Sequence, residues 1–247
     1  MARILILGGT GEARSLAAVL AEVPGVETVS SLAGRVRDPR MPVGDVRVGG
    51  FGGVDGLADW LREHRADAIV DATHPFAAQI TRNAADAADR CGVPVVVLRR
   101  PEWSPRPGDN WVGAADLAAA AELLPGLGTR VFLTIGRQGV DSFAGLRALW
   151  FLVRAIDPPE VAMPPQSTLL LGRGPFAVAD ETALMREHRI DVLVTKNSGG
   201  AQTDAKLDAA RELGVPVVMI RRPPPPPATA TVDDVAGAVE WIDSVTR

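Results

Sequence analysis

The chain has 247 residues, enough for one large domain or two ordinary ones, and 47% hydrophobic with 23% charged residues is the balance of a well-cored globular protein. A net charge of −4 argues against nucleic acid as a partner, and one cysteine, Cys91, allows neither an internal disulfide nor a cysteine-cluster metal site. The three histidines show no metal-ligand spacing, and no apolar run reaches the length of a membrane span, so a soluble, cytoplasmic, metal-free protein is expected.

The first apolar run, Ile4 to Leu7, is too short for a signal peptide and reads as a buried strand. It runs into Gly8-Gly9-Thr10-Gly11-Glu12-Ala13-Arg14, after which Ser15-Leu16-Ala17 continue a helix. Glycines between a strand and a helix let the backbone approach a ligand, and the helix N-terminus favours an anion. The turn suits a dinucleotide pyrophosphate, although Arg14 stands where the strict fingerprint has a small residue. Such turns also occur with no ligand. No lysine-bearing phosphate loop is present, which disfavours a nucleotide triphosphatase.

A second run, Val26 to Leu32, ends in Ser30-Ser31-Leu32-Ala33-Gly34-Arg35-Val36-Arg37. An acidic residue there would hold the ribose hydroxyls of NAD; hydroxyls and arginines instead suit the extra phosphate of NADP. The bland alternative is a solvated basic loop. A third run, Val46 to Gly50, opens into Gly49-Gly50-Phe51-Gly52-Gly53, a backbone that can lie flat on a ligand with Phe51 as a wall, or else a mobile tip. A helix ending Arg62-Glu63-His64-Arg65 leads to the strand Ala68 to Asp71 and then Thr73-His74-Pro75, where a nicotinamide would lie. An alanine-rich helix and the strand Val95 to Leu98 follow.

The chain then repeats itself. RILILGG at 3–9 faces RVFLTIG at 130–136, REHR at 62–65 recurs at 186–189, and GVPVVVLRRP at 92–101 recurs as GVPVVMIRRP at 214–223. Three matches in one order predict two copies of one unit, 1–127 and 128–247. Continuously apolar strands alternating with helices predict α/β folding: two duplicated Rossmann-like domains with parallel sheets and a cleft between them. His64 and His188, repeated in helical context, read as scaffold.

The second copy lacks the phosphate turn and has Gly136-Arg137-Gln138-Gly139 in its place. Its other strand ends carry Arg154 with Asp157, Arg173, and Lys196 with Ser198. Cations at successive strand ends suggest a site for a polyanionic, carboxylate-rich ligand.

GGTGEAR, SLAGR, GGFGG, DATHPFA, FLTIGRQ, RAIDPP, RGPF and VTKNSGG stand in an order that resembles the precorrin-6A reductase family of cobalamin biosynthesis, cobalt-precorrin-6A reductases included, over nearly the whole chain. The resemblance implies NADPH as hydride donor and reduction of one macrocycle double bond to give precorrin-6B. Its polycarboxylate tetrapyrrole substrate agrees with the cationic strand ends. His74, Lys196, Asp157 or water remain open as the proton source. The proline-rich 221–231 reads as a rigid connector.

The rivals are three. A tyrosine-dependent carbonyl reductase is disfavoured by a chain with no tyrosine; a nucleotide-sugar transferase and a non-catalytic NADP sensor stay open. Nothing in the sequence specifies oligomeric state, and a monomer is compatible with it.

Overall fold

The computed structural model describes residues 1–34, 37–227 and 229–246. The first sheet is built from β1 (Ala2–Leu7), β2 (Val26–Leu32), β3 (Asp45–Val48), β4 (Ala68–Asp71) and β5 (Val95–Leu98), with α1 (Gly11–Ala21), α2 (Gly53–Glu63) and α3 (Ala78–Cys91) as crossovers. The chain continues through β6 (Trp111–Ala114), α4 (Leu117–Leu123), β7 (Arg130–Thr134), β8 (Trp150–Ala155), β9 (Ser167–Leu171), α5 (Val178–Glu187), β10 (Val192–Lys196), α6 (Ala205–Leu213) and β11 (Val217–Ile220). It closes with β12 (Ala230–Val232) and α7 (Val235–Thr246).

Every strand pairing is parallel, in two six-stranded sheets ordered β12-β5-β4-β1-β2-β3 and β6-β11-β10-β7-β8-β9. The central strands are apolar on both faces because helices cover both: Ile4 and Ile6 pack with α1 and α7, Leu5 and Leu7 with α2 and α3. Each sheet reverses strand order once, between β1 and β4 and between β7 and β10, and beyond the carboxyl ends of such a reversal an α/β sheet holds its ligand.

The expected division at 127/128 is corrected. The compact units are Met1–Pro101 with Pro223–Arg247, and Glu102–Arg222. After β5 the chain leaves its own sheet, and β6 becomes the sixth strand of the second; after β11 it returns, and β12 pairs β5 as the sixth strand of the first. Neither sixth strand stood out in the sequence, because WVGA and ATV are too short and mixed to announce themselves. The proline-rich segment is the return path, and Arg99 donates to the Pro223 carbonyl at 2.9 Å beside it.

The repeated REHR tetrapeptide is a structural device. In both copies the helix ends at its histidine (His64, His188), and the following arginine is left-handed, Arg65 at φ 48° and Arg189 at φ 50°. His64 stacks on Trp60 and His188 on Trp150, with centroids at 4.1 and 5.7 Å. Arg3 and Arg130, at the beginnings of equivalent strands, within one residue of the first, donate to the carbonyls of His64 and His188. The histidines are scaffold, as their repetition suggested. A left-handed arginine is strained by its Cβ, so Arg65→Val should cost about 1–2 kcal/mol in chemical denaturation, whereas Arg65→Gly should be neutral or stabilising.

Candidate functional site

At the first sheet's switch point, the glycine turn is assembled by internal hydrogen bonds. The Gly8 N–H donates to the Ser31 carbonyl at 2.9 Å, joining the end of β1 to the end of β2. Thr10 caps α1: its Oγ1 accepts from the Ala13 N–H at 3.1 Å and donates to the Ala72 carbonyl at 2.7 Å beyond β4. Thr10 and Ala13 are both buried, so of the expected cofactor residues these two build the turn from behind. Gly9 takes φ 116°, open to glycine, and a Cβ on Gly8 would lie in ordinary contact with Leu32 and Ala13 at 3.4 and 3.5 Å. Gly11 and Glu12 open the helix, where the earliest amides have no intrahelical acceptor. The Glu12 carboxylate pairs with Arg100 at 2.8 Å, and Arg14 follows, half-buried, on the same helix.

The end of β4 carries the second cluster. The Asp71 carboxylate, buried, accepts from the Thr73 N–H at 3.0 Å and the Thr73 hydroxyl at 2.6 Å, fixing the turn that presents His74. His74 is exposed, and its Nδ1 accepts from the Phe76 N–H at 3.3 Å, which in the neutral ring leaves the proton on Nε2. Asp71, Thr73, His74 and Pro75 line a cleft with Arg82, Arg99 and Pro223 to Pro226. The proline segment, read from sequence as a bare connector, is therefore one wall of this cleft. No sequence signal marks it, because the wall depends on where the returning chain lands.

At the ends of β2 and β3, Ser31 accepts from Arg47 at 2.9 Å, and Arg47 also donates to the carbonyls of Gly49 and Gly50 at 2.9 and 3.1 Å. Phe51 stands under the Arg47 guanidinium at 3.7 Å and edge-on to Trp60, so it is a held wall of this corner. Gly52 precedes α2 in a left-handed conformation. Arg47 went unnoticed in sequence because it sits inside a strand. Arg35 lies outside the described residues.

The second unit departs from the first where its sequence does. The long helix after the first strand shrinks to one 3₁₀ turn, Val140–Phe143, so no helix of the α1 kind opens beyond β7. Arg137 pairs with exposed Glu160 at 3.3 Å, Arg173 is exposed, and Asp157 is half-buried. Lys196 donates to the Ile135 carbonyl at 2.9 Å across the switch point, and burial lowers its pKa from the ordinary lysine value. Ser198 is buried beside Asn197, whose side chain holds both the N–H and the carbonyl of Trp103.

Arg154 is a correction. Its guanidinium, 7% exposed, is bound by both oxygens of Glu181 at 2.5 and 2.9 Å and contacts the rings of Phe132 and Phe176. A strand-end arginine looked available in sequence; a carboxylate from α5, distant in the chain, has neutralised it. Lys206, buried beside this pair over the Trp103 ring, donates to the Thr203 carbonyl. Burial, then the Arg154 charge, lower the Lys206 pKa from 10.5 to about 7, against the opposing pull of Glu181 and Asp204.

Among the described residues no helix is long and apolar enough to cross a membrane, and no group of three or more His, Cys, Asp or Glu side chains could hold a metal.

Doubly wound parallel sheets, one with a glycine turn at its switch point, define an α/β protein of the Rossmann-like class. The chain belongs to the precorrin-6x reductase family: the model described as "Precorrin-6x reductase CbiJ/CobK" matches residues 3–243. It is 83% identical, over the full length of both chains, to a precorrin-6A reductase of Rhodococcus erythropolis. A cobalt-precorrin-6A reductase of Salmonella typhimurium is 31% identical, over 89% of this chain and 87% of its own. A solved structure titled "CobK precorrin-6A reductase" superposes with TM-score 0.93 at 43% identity, covering 100% of this chain and 98% of that one.

The Lys206 geometry has a pH signature. Its depressed folded pKa means the unfolded chain binds more protons between about pH 7 and 10.5, so this group adds stability as pH rises through that window and loses it on the way down. Urea midpoints should rise over that range, and Lys206→Met should remove that part of the rise.

Proposed function

We propose that this chain reduces one ring double bond of precorrin-6A to give precorrin-6B, with NADPH as hydride donor. The carrying observation is the asymmetry of the switch points: the first opens a glycine turn onto a helix N-terminus, and the second replaces that helix with a single 3₁₀ turn. Family membership gives the reductase class, and 83% identity to a precorrin-6A reductase, against 31% to a cobalt-precorrin-6A reductase, favours the metal-free macrocycle over the cobalt one.

The residues fit such a cofactor. The Gly8 amide is spent on the Ser31 carbonyl and Gly9 needs its left-handed backbone, so Gly8 shapes the turn while Gly9 to Glu12 offer an amide cradle for a pyrophosphate, with Arg14 nearby. Ser31 would face the ribose, Gly49 to Gly52 with Phe51 the base, and Thr73, His74 and Pro75 the nicotinamide end. When bound, NADPH supplies the hydride, and the chain must orient substrate and deliver a proton.

His74 presents Nε2–H from a turn fixed by Asp71 and Thr73, which makes it the leading proton donor; Lys196 and Asp157 in the second unit remain candidates. Arg137, Arg173, Lys196 and Ser198 are the groups proposed to meet the substrate's carboxylates. Arg154 leaves that set, because its charge is already answered by Glu181.

Three measurements check this reading. NADPH absorbance should fall on addition of precorrin-6A, while a sugar-nucleotide transferase or a cofactor sensor would leave it unchanged. His74→Ala should then lower kcat by about 10²- to 10⁴-fold if Nε2 donates the proton, and a near-normal rate would remove it as donor. Arg173→Ala should raise the KM for the macrocycle several-fold with kcat largely kept, as expected for a group that binds ground and transition states alike.

A further inference from the structure

The two units place an arginine at corresponding corners but treat its charge in opposite ways. In the first sheet Ser31 of β2 is in register with Arg47 of β3; in the second Arg154 of β8 is in register with Leu170 of β9. The arginine has changed strands, yet each guanidinium lies on a phenylalanine of the loop after the edge strand, β3 or β9: Arg47 on Phe51 at 3.7 Å, Arg154 on Phe176 at 3.8 Å. Arg154 is neutralised by Glu181. Counting back from the shared REHR, the residue of α2 that corresponds to Glu181 is Leu57, which is fully buried and apolar. The hydrogen bonds that Arg47 makes to described residues run to the Ser31 hydroxyl and the carbonyls of Gly49 and Gly50, all neutral acceptors. The planar fork is thus pre-ordered and half-buried, with a positive charge and, among the described residues, no carboxylate upon it.

Its location says which anion. Ser31 joins two features: its carbonyl accepts from Gly8 of the glycine turn, and its hydroxyl accepts from Arg47. A dinucleotide with its pyrophosphate on the glycine turn has its adenosine ribose at the end of β2, beside Ser31. A phosphate on that ribose would reach the guanidinium next to it.

We propose that Arg47 is the residue that recognises the 2′-phosphate of the cofactor and so selects NADPH over NADH. The inference rests on the proposed cofactor reading and deepens it. Bidentate guanidinium–phosphate pairing is directional and charge-assisted, and Phe51, Gly49 and Gly50 hold the fork in place before the ligand arrives.

The test is calorimetric titration of the full chain with 2′,5′-ADP and with 5′-AMP, which differ only in that phosphate. The wild type should prefer 2′,5′-ADP. Arg47→Ala should reduce that preference by about 10- to 100-fold while moving 5′-AMP affinity by less than about 3-fold. Arg47→Gln, which keeps a donor for the glycine carbonyls but carries no charge, should behave like alanine, and serves if the alanine variant unfolds in a thermal melt. A preference retained in both variants overturns the assignment. Equal loss of both ligands also overturns it, because Arg47 would then hold the adenine or the loop. A wild type that binds neither ligand, or both alike, would count against the NADPH reading itself, a result distinct from failure of the Arg47 variants.

Discussion

One buried hydroxyl ties the first switch point together. Thr10 Oγ1 caps α1 through Ala13 and reaches across to the Ala72 carbonyl, so the start of the helix and the loop beyond β4 cannot move independently. The glycine turn ahead of it and the Asp71–Thr73–His74 turn beside it are thereby built into one rigid surface. The second unit spans the equivalent strands with Thr134 Oγ1 on the Val194 carbonyl and Lys196 Nζ on the Ile135 carbonyl. A lysine there spends a donor on the scaffold. The two switch points thus differ in what crosses them: a threonine hydroxyl in the first unit, a threonine hydroxyl and a lysine ammonium in the second.

Duplication explains what stays and what changes. Helix ends are maintained because a left-handed residue, a stacked histidine and an arginine-to-carbonyl bond close each helix onto its sheet, and loss of any of them would loosen a core strand. Strand ends are free to diverge, since they contribute little to the core. Buried charge follows the same logic. Arg154 could be drawn inside only with Glu181 to meet it, for an unpaired buried guanidinium would cost several kcal/mol. Arg47 keeps neutral partners and partial exposure, the condition under which a charge remains available to a ligand.

The first unit needs two separate stretches of chain to complete its sheet, whereas the second is the single stretch inserted between them. The first borrows β12 and α7 from the C-terminus, and the second receives β6 and α4 from the segment that follows β5. Parallel strands require long crossovers, so a sixth strand can be delivered by whichever passing chain covers the edge. This routing makes a wall of the proline segment beside His74. Polyproline suits that place: without amide hydrogens it leaves few donors to satisfy along a cleft.

Local features could be read from the sequence alone because they depend on neighbours in the chain. Apolar runs marked ten of the strands, and the glycine turn and the REHR pair announced a duplicated parallel fold with a strand-turn-helix start in the first copy only. What the tertiary structure decided was everything set by partners remote in sequence. It moved the unit boundaries, took Arg154 out of the candidate site through Glu181, placed Pro223 to Pro226 against the cleft, and revealed Arg47 next to Ser31. A strand's period shows which way a side chain points, but whether its charge is answered depends on what the fold brings to face it.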